Sequence, residues 1–390
     1  MSQARAFWAI YISVAVSYLG VGLVAPLIAI VLSEHGANSL LVGLVGTTMF
    51  AALTLASFPI GTLTDRIGPK PILIFGLVLY GISILLFALM QATWLFFLAR
   101  AIEGVGGAAI SVTTTTMVSQ LSGPHERARR MSYYALSVGL GWAVGPLAGT
   151  LLFGIFLELP FILCFVLSLI SAALAAVLIP KTAPSAHEHD THVTSISANI
   201  FVPISAGALY GYLMSSLVTL IPLYLQAINV EEREMGIIIT AVVVGTLISQ
   251  VPIGKAADRF GKRRTLLVCA SLLTVVFAIM PFHADWRPFI LTGGLTGALA
   301  GSLYPIALAM IGGNVPKERI GAATALFSLA FGIGSLVGPA VSGLAMDHLG
   351  YRWLFYLPSL LTALFSLILV ALYGKTVARR RKMVNNNLRV

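Results

Sequence analysis

The chain has 390 residues, 58% of them hydrophobic, and only 24 Lys and Arg against 14 Asp and Glu, so 10% of it is charged. Soluble domains run at about 25% charged residues, and a soluble chain of this length would need two or three polar-coated domains, so the composition argues against a soluble enzyme. The net charge of +10 does not indicate nucleic acid either, because the cations sit in short loops and not on a solvated face; the expected partner is a lipid bilayer.

A helix crosses the hydrocarbon layer in about 20 apolar residues. Twelve such runs follow one another, at about 7–32, 40–62, 71–90, 94–120, 130–154, 159–179, 199–226, 236–255, 265–282, 287–312, 320–344 and 352–373. The first has no small-residue cleavage site and reads as a span, not a removable signal. Stretches such as 77–89 are apolar at both parities, whereas a membrane strand alternates. The expected fold is therefore an all-α membrane protein in two six-helix halves. One bundle covers 1–180, a polar cytoplasmic linker 181–198, a second bundle 199–374 and a basic cytoplasmic tail 375–390.

The linker carries His187, His189 and His192 among Glu188 and Asp190. Histidine-rich tracts can take metals, but in flexible linkers they are ordinarily solvated, and no metal is expected. Cys164 and Cys269 lie within apolar runs, without disulfide or metal-ligand spacing. With both termini in the cytoplasm, every Lys and Arg except Arg100, Arg233, Arg287 and Arg352 falls inside or at an inner boundary. Loop cations set topology, so this is the expected orientation. Trp94, Trp286 and Trp353 fall at outer boundaries and Trp8 at an inner one, as interfacial anchors.

The halves repeat. Gly61-Thr-Leu-Thr-Asp65-Arg66-Ile-Gly68-Pro69-Lys70 returns as Gly254-Lys-Ala-Ala-Asp258-Arg259-Phe-Gly261-Lys-Arg, 193 residues later. Gly141, Gly145, Pro146 and Gly149 return at the same offset as Gly334, Gly338, Pro339 and Ser342. In span four, Phe96, Leu98 and Gly104 map onto Phe289, Leu291 and Gly297. Parallel repeats of this kind are one way to build an alternating-access transporter.

These residues resemble the major facilitator superfamily over essentially the whole chain, and within it the twelve-span drug:proton antiporter branch. Gly61 to Lys70 and Gly254 to Arg264 resemble the loop signature after spans two and eight, with Pro69 where a basic residue is usual, so Lys70 is the alternative carrier of that charge. Leu98 to Gly107 resembles the span-four signature. The Gly145-Pro146 block resembles the span-five signature of antiporters. The resemblance implies secondary transport of a small molecule with the proton as coupling ion and no other cofactor, by a monomer in a bacterial cytoplasmic membrane. It further implies that Asp65 meets the positive end of a helix in the other half, that Asp65, Arg66, Lys70, Asp258 and Arg259 gate the cytoplasmic side, and that span five seals against a neighbour. Gly61, Gly68, Gly141, Gly145, Pro146, Gly149, Gly338 and Pro339 belong to the same gating set: glycines let helices approach closely and prolines bend them.

Arg100 and Glu103 are the charges at bilayer depth, where each costs about 2.5–3.5 kcal/mol on insertion scales, and such groups usually have a function. Three residues apart on a helix, they share a face. Their repeat mates are Gly293 and Thr296, and such asymmetry suits a coupling device better than scaffolding. Glu103 is the expected proton site, with Arg100 setting its proton affinity and Asp65 a further coupling residue. Spans one, four, seven and ten line the cavity in the family fold, which implies Tyr18, Thr113, Tyr210, Ser215 and Tyr304 as cavity residues. The expected function is proton-coupled efflux of small amphiphilic compounds or drugs; the alternative is a proton-coupled importer or facilitator of a polar or anionic metabolite, with Arg100 as an anion clamp. A membrane enzyme would need a convergent catalytic set, and the histidines all lie in loops or at span ends.

Overall fold

The computed structural model describes residues 3–89, 92–123, 126–180, 200–283, 285–315 and 320–387. It is built of α-helices: α1 Gln3–Glu34, α2 Ser39–Ile67, α3 Pro69–Leu89, α4 Thr93–Leu121, α5 Arg127–Phe153, α6 Leu159–Leu178, α7 Phe201–Ala227, α8 Glu232–Phe260, α9 Lys262–Ile279, α10 Arg287–Asn314, α11 Ile320–Leu349 and α12 Trp353–Asn387. Among the described residues, 12 helices are long and apolar enough to cross a membrane. The linker at 181–198 and its histidines lie outside the described residues. The sequence separates span twelve from a tail at 375; in the structure α12 runs on to Asn387, since Ala, Arg, Lys and Met are all good helix formers.

Local chemistry places the helix ends. The Asn38 side chain accepts from the Leu41 N–H at the start of α2, and Glu231 and Glu234 form a capping box at the start of α8, each satisfying amides that a helix leaves unpaired. Gly68 and Gly261 adopt φ of 88° and 96°, conformations that favour glycine, and turn the chain sharply into α3 and α9.

The 193-residue repeat is visible in space as repeated contacts. Gly141 packs on Ala15 and Leu19 of α1, and its mate Gly334 on their mates Ala208 and Tyr212 of α7. Gly104 lies against the Met49 carbonyl of α2, and Gly297 against the Val242 carbonyl of α8. Gly145 and Gly149 press α5 onto Gly22 and Leu23 so closely that a methyl group at either position would collide with backbone. Backbone cannot rotate away as a side chain can, and overpacking costs about 1–3 kcal/mol or more. Gly149→Val is therefore expected to lower the melting temperature of the purified protein by several degrees, whereas the same change at Gly61, around which there is open space, leaves it nearly unchanged.

The halves meet through α2 against α11, α5 against α8, and α1 and α2 against α7. With twelve spans, both termini lie at one end of the bundle, the terminal end; the loops at 35–38, 154–158 and 228–231 mark the far end. Toward the far end and the middle, Gly43 abuts Pro339, Gly343 abuts Ser39, Gly236 abuts Pro146 and Thr150, and Gly139 meets Leu247. Toward the terminal end, Gly61 and Gly254 have open space around them, and among the described residues no hydrogen bond or ion pair joins the halves there. The described contacts between the halves therefore concentrate at the far end and the middle.

Candidate functional site

Arg100 Nη1 donates to Glu103 Oε2 at 2.9 Å, and the two residues are only 5% and 3% exposed. Helix α4 supplies both from one face. That face turns into the first bundle: Arg100 Nη1 also reaches Met49 Sδ of α2 at 3.4 Å, and its guanidinium lies 5.7 Å from the Phe87 ring of α3. Tyr80 of α3 acts on the Glu103 carboxyl. Removing one member of a buried pair costs about 3–5 kcal/mol because it strands the other charge, so Glu103 can take a proton only where something else then accommodates Arg100. Met49 sulfur and the Phe87 ring stand at the guanidinium for that role.

The expected cavity residues divide into groups. Tyr210 and Tyr304 come together, with ring centroids 5.5 Å apart, and the Phe331 ring stacks on Tyr210 at 5.8 Å. Phe327 meets Tyr304 edge-on at 4.9 Å, so α7, α10 and α11 present an aromatic wall. Tyr18 of α1 interacts with Tyr134 of α5 and Ser111 of α4, and Thr114 Oγ1 donates to the Tyr134 hydroxyl at 3.3 Å, which makes a hydroxyl-rich group in the first half. Thr113 is not part of it: it is fully buried and donates to Ala109 O of its own helix at 2.6 Å. Ser215 is also buried, bonded to Tyr212 O and lying under Gly338.

The expected gating residues at the terminal end have local partners or none. Lys70 Nζ donates to Ala176 O and Ile179 O at 2.7 and 2.6 Å, neutralising the C-terminal end of α6 within its own half. Asp65 forms no ion pair with a described residue, and no described contact joins it to a helix end of the other half. Arg66, Asp258 and Arg259 are exposed, and the Arg259 guanidinium lies 5.3 Å from the Phe260 ring. Gly338 and Pro339 share the two contacts of α11: Gly338 packs on α7, and Pro339 presents its carbonyl to Gly43 of α2. Gly145 and Pro146 divide the same way between α1 and α8.

At the far end a carboxylate bridges the halves. Asp347 of α11 accepts from the Ser39 N–H at 2.8 Å and the Leu40 N–H at 2.9 Å, so an acid of the second half caps α2 of the first. Charge-assisted bonds of this kind are about twice as strong as neutral ones, and the helix N-terminus favours negative charge. Thr47 Oγ1 adds a bond to Leu336 O at 2.9 Å. Asp347→Ala is expected to raise the population open at the far end about tenfold to a hundredfold, from the loss of about 1.5–3 kcal/mol of charged hydrogen bonding; distances between spin labels across the far loops measure it.

The family model of the Major Facilitator Superfamily matches residues 10–226 and 204–387. The chain belongs to that superfamily. It is a multi-pass membrane protein of a transporter family. It is 27% identical over 378 residues, 95% of each chain, to the MFS-type transporter YfkF of Bacillus subtilis. To the quinolone resistance protein NorA of Staphylococcus aureus it is 23% identical over 351 residues, 88% of this chain and 90% of NorA. The crystal structure of the nucleoside transporter NupG superposes with a TM-score of 0.82 at 12% identity, over 94% of this chain and 99% of that one. A bacterial homologue of the human lysosomal transporter Spinster, inward-facing and occupied, superposes with a TM-score of 0.77 at 13% identity, over 95% and 96%. These two likenesses speak for the fold alone.

Within this superfamily fold, sequence reasoning missed Gly43, Gly236 and Asp347. The first two had a signal, being a further pair at the 193-residue offset. Each seats its helix against the proline of the facing half. Asp347 had none, because its partners are backbone amides more than 300 residues away.

Proposed function

We propose that the protein is a proton-coupled exporter of small amphiphilic compounds in a bacterial cytoplasmic membrane, working as a monomer by alternating access with both termini in the cytoplasm. The observation that carries this reading is the buried Arg100–Glu103 pair at membrane depth, present in one half and replaced by Gly293 and Thr296 in the other. A proton on Glu103 dissolves the pair's electrostatics, and the half that holds it is the one whose α2 and α5 form the seams with α11 and α8. The aromatic cluster of Tyr210, Tyr304 and Phe331 in the second half, together with the hydroxyls around Tyr18 in the first, suits a flat amphiphile, and the similarity to NorA points to the same class of cargo. Contacts between the halves that concentrate at the far end suit a state that loads from the cytoplasm.

The importer reading relied on Arg100 as an anion clamp. Its guanidinium is engaged by Glu103 and Met49 and directed into the first bundle, which favours export. Proteoliposomes with an imposed pH gradient and a fluoroquinolone as probe decide the direction. Accumulation of the probe in the more acidic compartment supports antiport; accumulation in the more alkaline one supports symport and sinks the exporter reading.

A further inference from the structure

The polar groups around Glu103 extend beyond its partner. Tyr80 is 2% exposed and its hydroxyl completes no hydrogen bond of good geometry, although it acts on the Glu103 carboxyl. Arg100 Nε is likewise buried without an acceptor. On α6, Cys164 lies within electrostatic reach of both Glu103 and Tyr80, and one turn on, Ser168 Oγ is buried with no good partner of its own. A further turn along, Ser171 Oγ approaches Ser13 O of α1 at 3.5 Å, and Ser13 Oγ too is buried and unpaired. Buried polar groups are nearly always satisfied by protein or by ordered water, and unsatisfied ones cost about 1–3 kcal/mol each.

The second half shows what this region becomes without such a task. At the 193-residue offset, Tyr80, Cys164 and Ser168 correspond to Leu273, Leu357 and Leu361, alongside Gly293 and Thr296 for the pair. The hydroxyls that α9 and α12 do carry there satisfy one another: Thr274 donates to Thr362 at 3.0 Å and Ser359 to Thr274 O at 2.9 Å. Thus, among the described residues, Tyr80 and Ser168 keep open polar valences where their mates Leu273 and Leu361 have none to fill.

We infer that α1, α3, α4 and α6 enclose a water-holding pocket in the first half, lined by Tyr80 and Ser168, and that the Glu103 proton enters and leaves through this pocket. The inference rests on Glu103 being the proton site. Tyr80 is a positioning residue: its unpaired hydroxyl holds pocket water beside the carboxylate. An excess proton arrives as hydronium, one hydronium O–H breaks as the carboxyl O–H of Glu103 forms, neutral water is left behind, and the reverse transfer to water releases the proton. The charged and titratable groups facing Glu103 are Arg100 on its own helix, Tyr80 on α3 and Cys164 on α6, with Tyr18 of α1 near Tyr80; α2 contributes the Met49 sulfur beside Arg100.

The test uses the full-length protein in liposomes and needs no substrate. Infrared spectroscopy at mildly acidic pH identifies the carboxyl stretch that Glu103→Gln removes, and transfer to heavy water reads its O–H to O–D exchange. Tyr80→Phe and Ser168→Val keep the volume and remove the hydroxyls; each is expected to slow that exchange about tenfold, equivalent to about 1.4 kcal/mol on the barrier. A band present in all three proteins and exchanging equally fast overturns the pocket while leaving Glu103 as the proton site. Absence of any band removed by Glu103→Gln overturns Glu103 itself, and the pocket with it. Thermal unfolding of each variant, expected within a few degrees of the parent, keeps a slowed exchange from being read as loss of fold.

Discussion

Replacing Glu103 by Gln abolishes proton-driven accumulation of the transported probe, by tenfold or more, and leaves exchange of labelled for unlabelled probe across the membrane. The amide keeps the volume and one acceptor for the 2.9 Å contact with Arg100 but cannot titrate. A buried charge that loses its partner is costly, so a fall in thermal stability is part of the expected result, and Glu103→Asp, which retains the charge, is expected to recover both stability and some proton dependence. Counterflow requires only that the loaded form reorient, with probe binding and leaving on each side; net proton-driven movement requires that the carboxyl be loaded on one side and unloaded on the other. Loss of both activities in Glu103→Gln, with recovery of neither in Glu103→Asp, would mean that the pair is scaffolding.

The second large effect belongs to the glycines of the seams. Gly43 and Gly236 bring α2 and α8 against the Pro339 and Pro146 turns of the opposite half, with no room for a Cβ. Unlike Gly149, they have their nearest neighbours in the other half, so a side chain there acts first on the seam between the bundles. Overpacking of about 1–3 kcal/mol at a two-state interface moves its equilibrium by roughly tenfold to a hundredfold. Gly43→Val and Gly236→Val are each expected to fold, to melt close to the parent, and to lose transport because the far end no longer closes. Labelling of single cysteines placed in the far loops, faster in both variants than in the parent, is the corresponding measurement.

Much of the fold was legible because membrane insertion imposes length and hydropathy on every helix, and because the duplicated halves expose the same contacts twice. The depth of Arg100 and Glu103 was legible for the same reason: a charge in an apolar run has to be explained. Their direction was not. Spacing on one helix shows that two residues share a face but not which neighbour that face meets, and the face turned out to look toward Met49, Tyr80 and Phe87 within the bundle. A rotation of one residue likewise separates Thr113, spent on its own helix, from Thr114, which reaches Tyr134. The bridge from Asp347 to the α2 amides was invisible, since backbone N–H groups leave no trace in composition.

The central claim is that one carboxyl in the first half couples proton movement to substrate movement. A pH-sensitive dye trapped inside proteoliposomes, with an outward fluoroquinolone gradient as the sole driving force, tests it most directly. The parent protein should drive protons inward as the probe leaves, acidifying the lumen, and Glu103→Gln should leave lumenal pH unchanged while still exchanging labelled for unlabelled probe. Equal acidification by the parent and by Glu103→Gln would contradict the account.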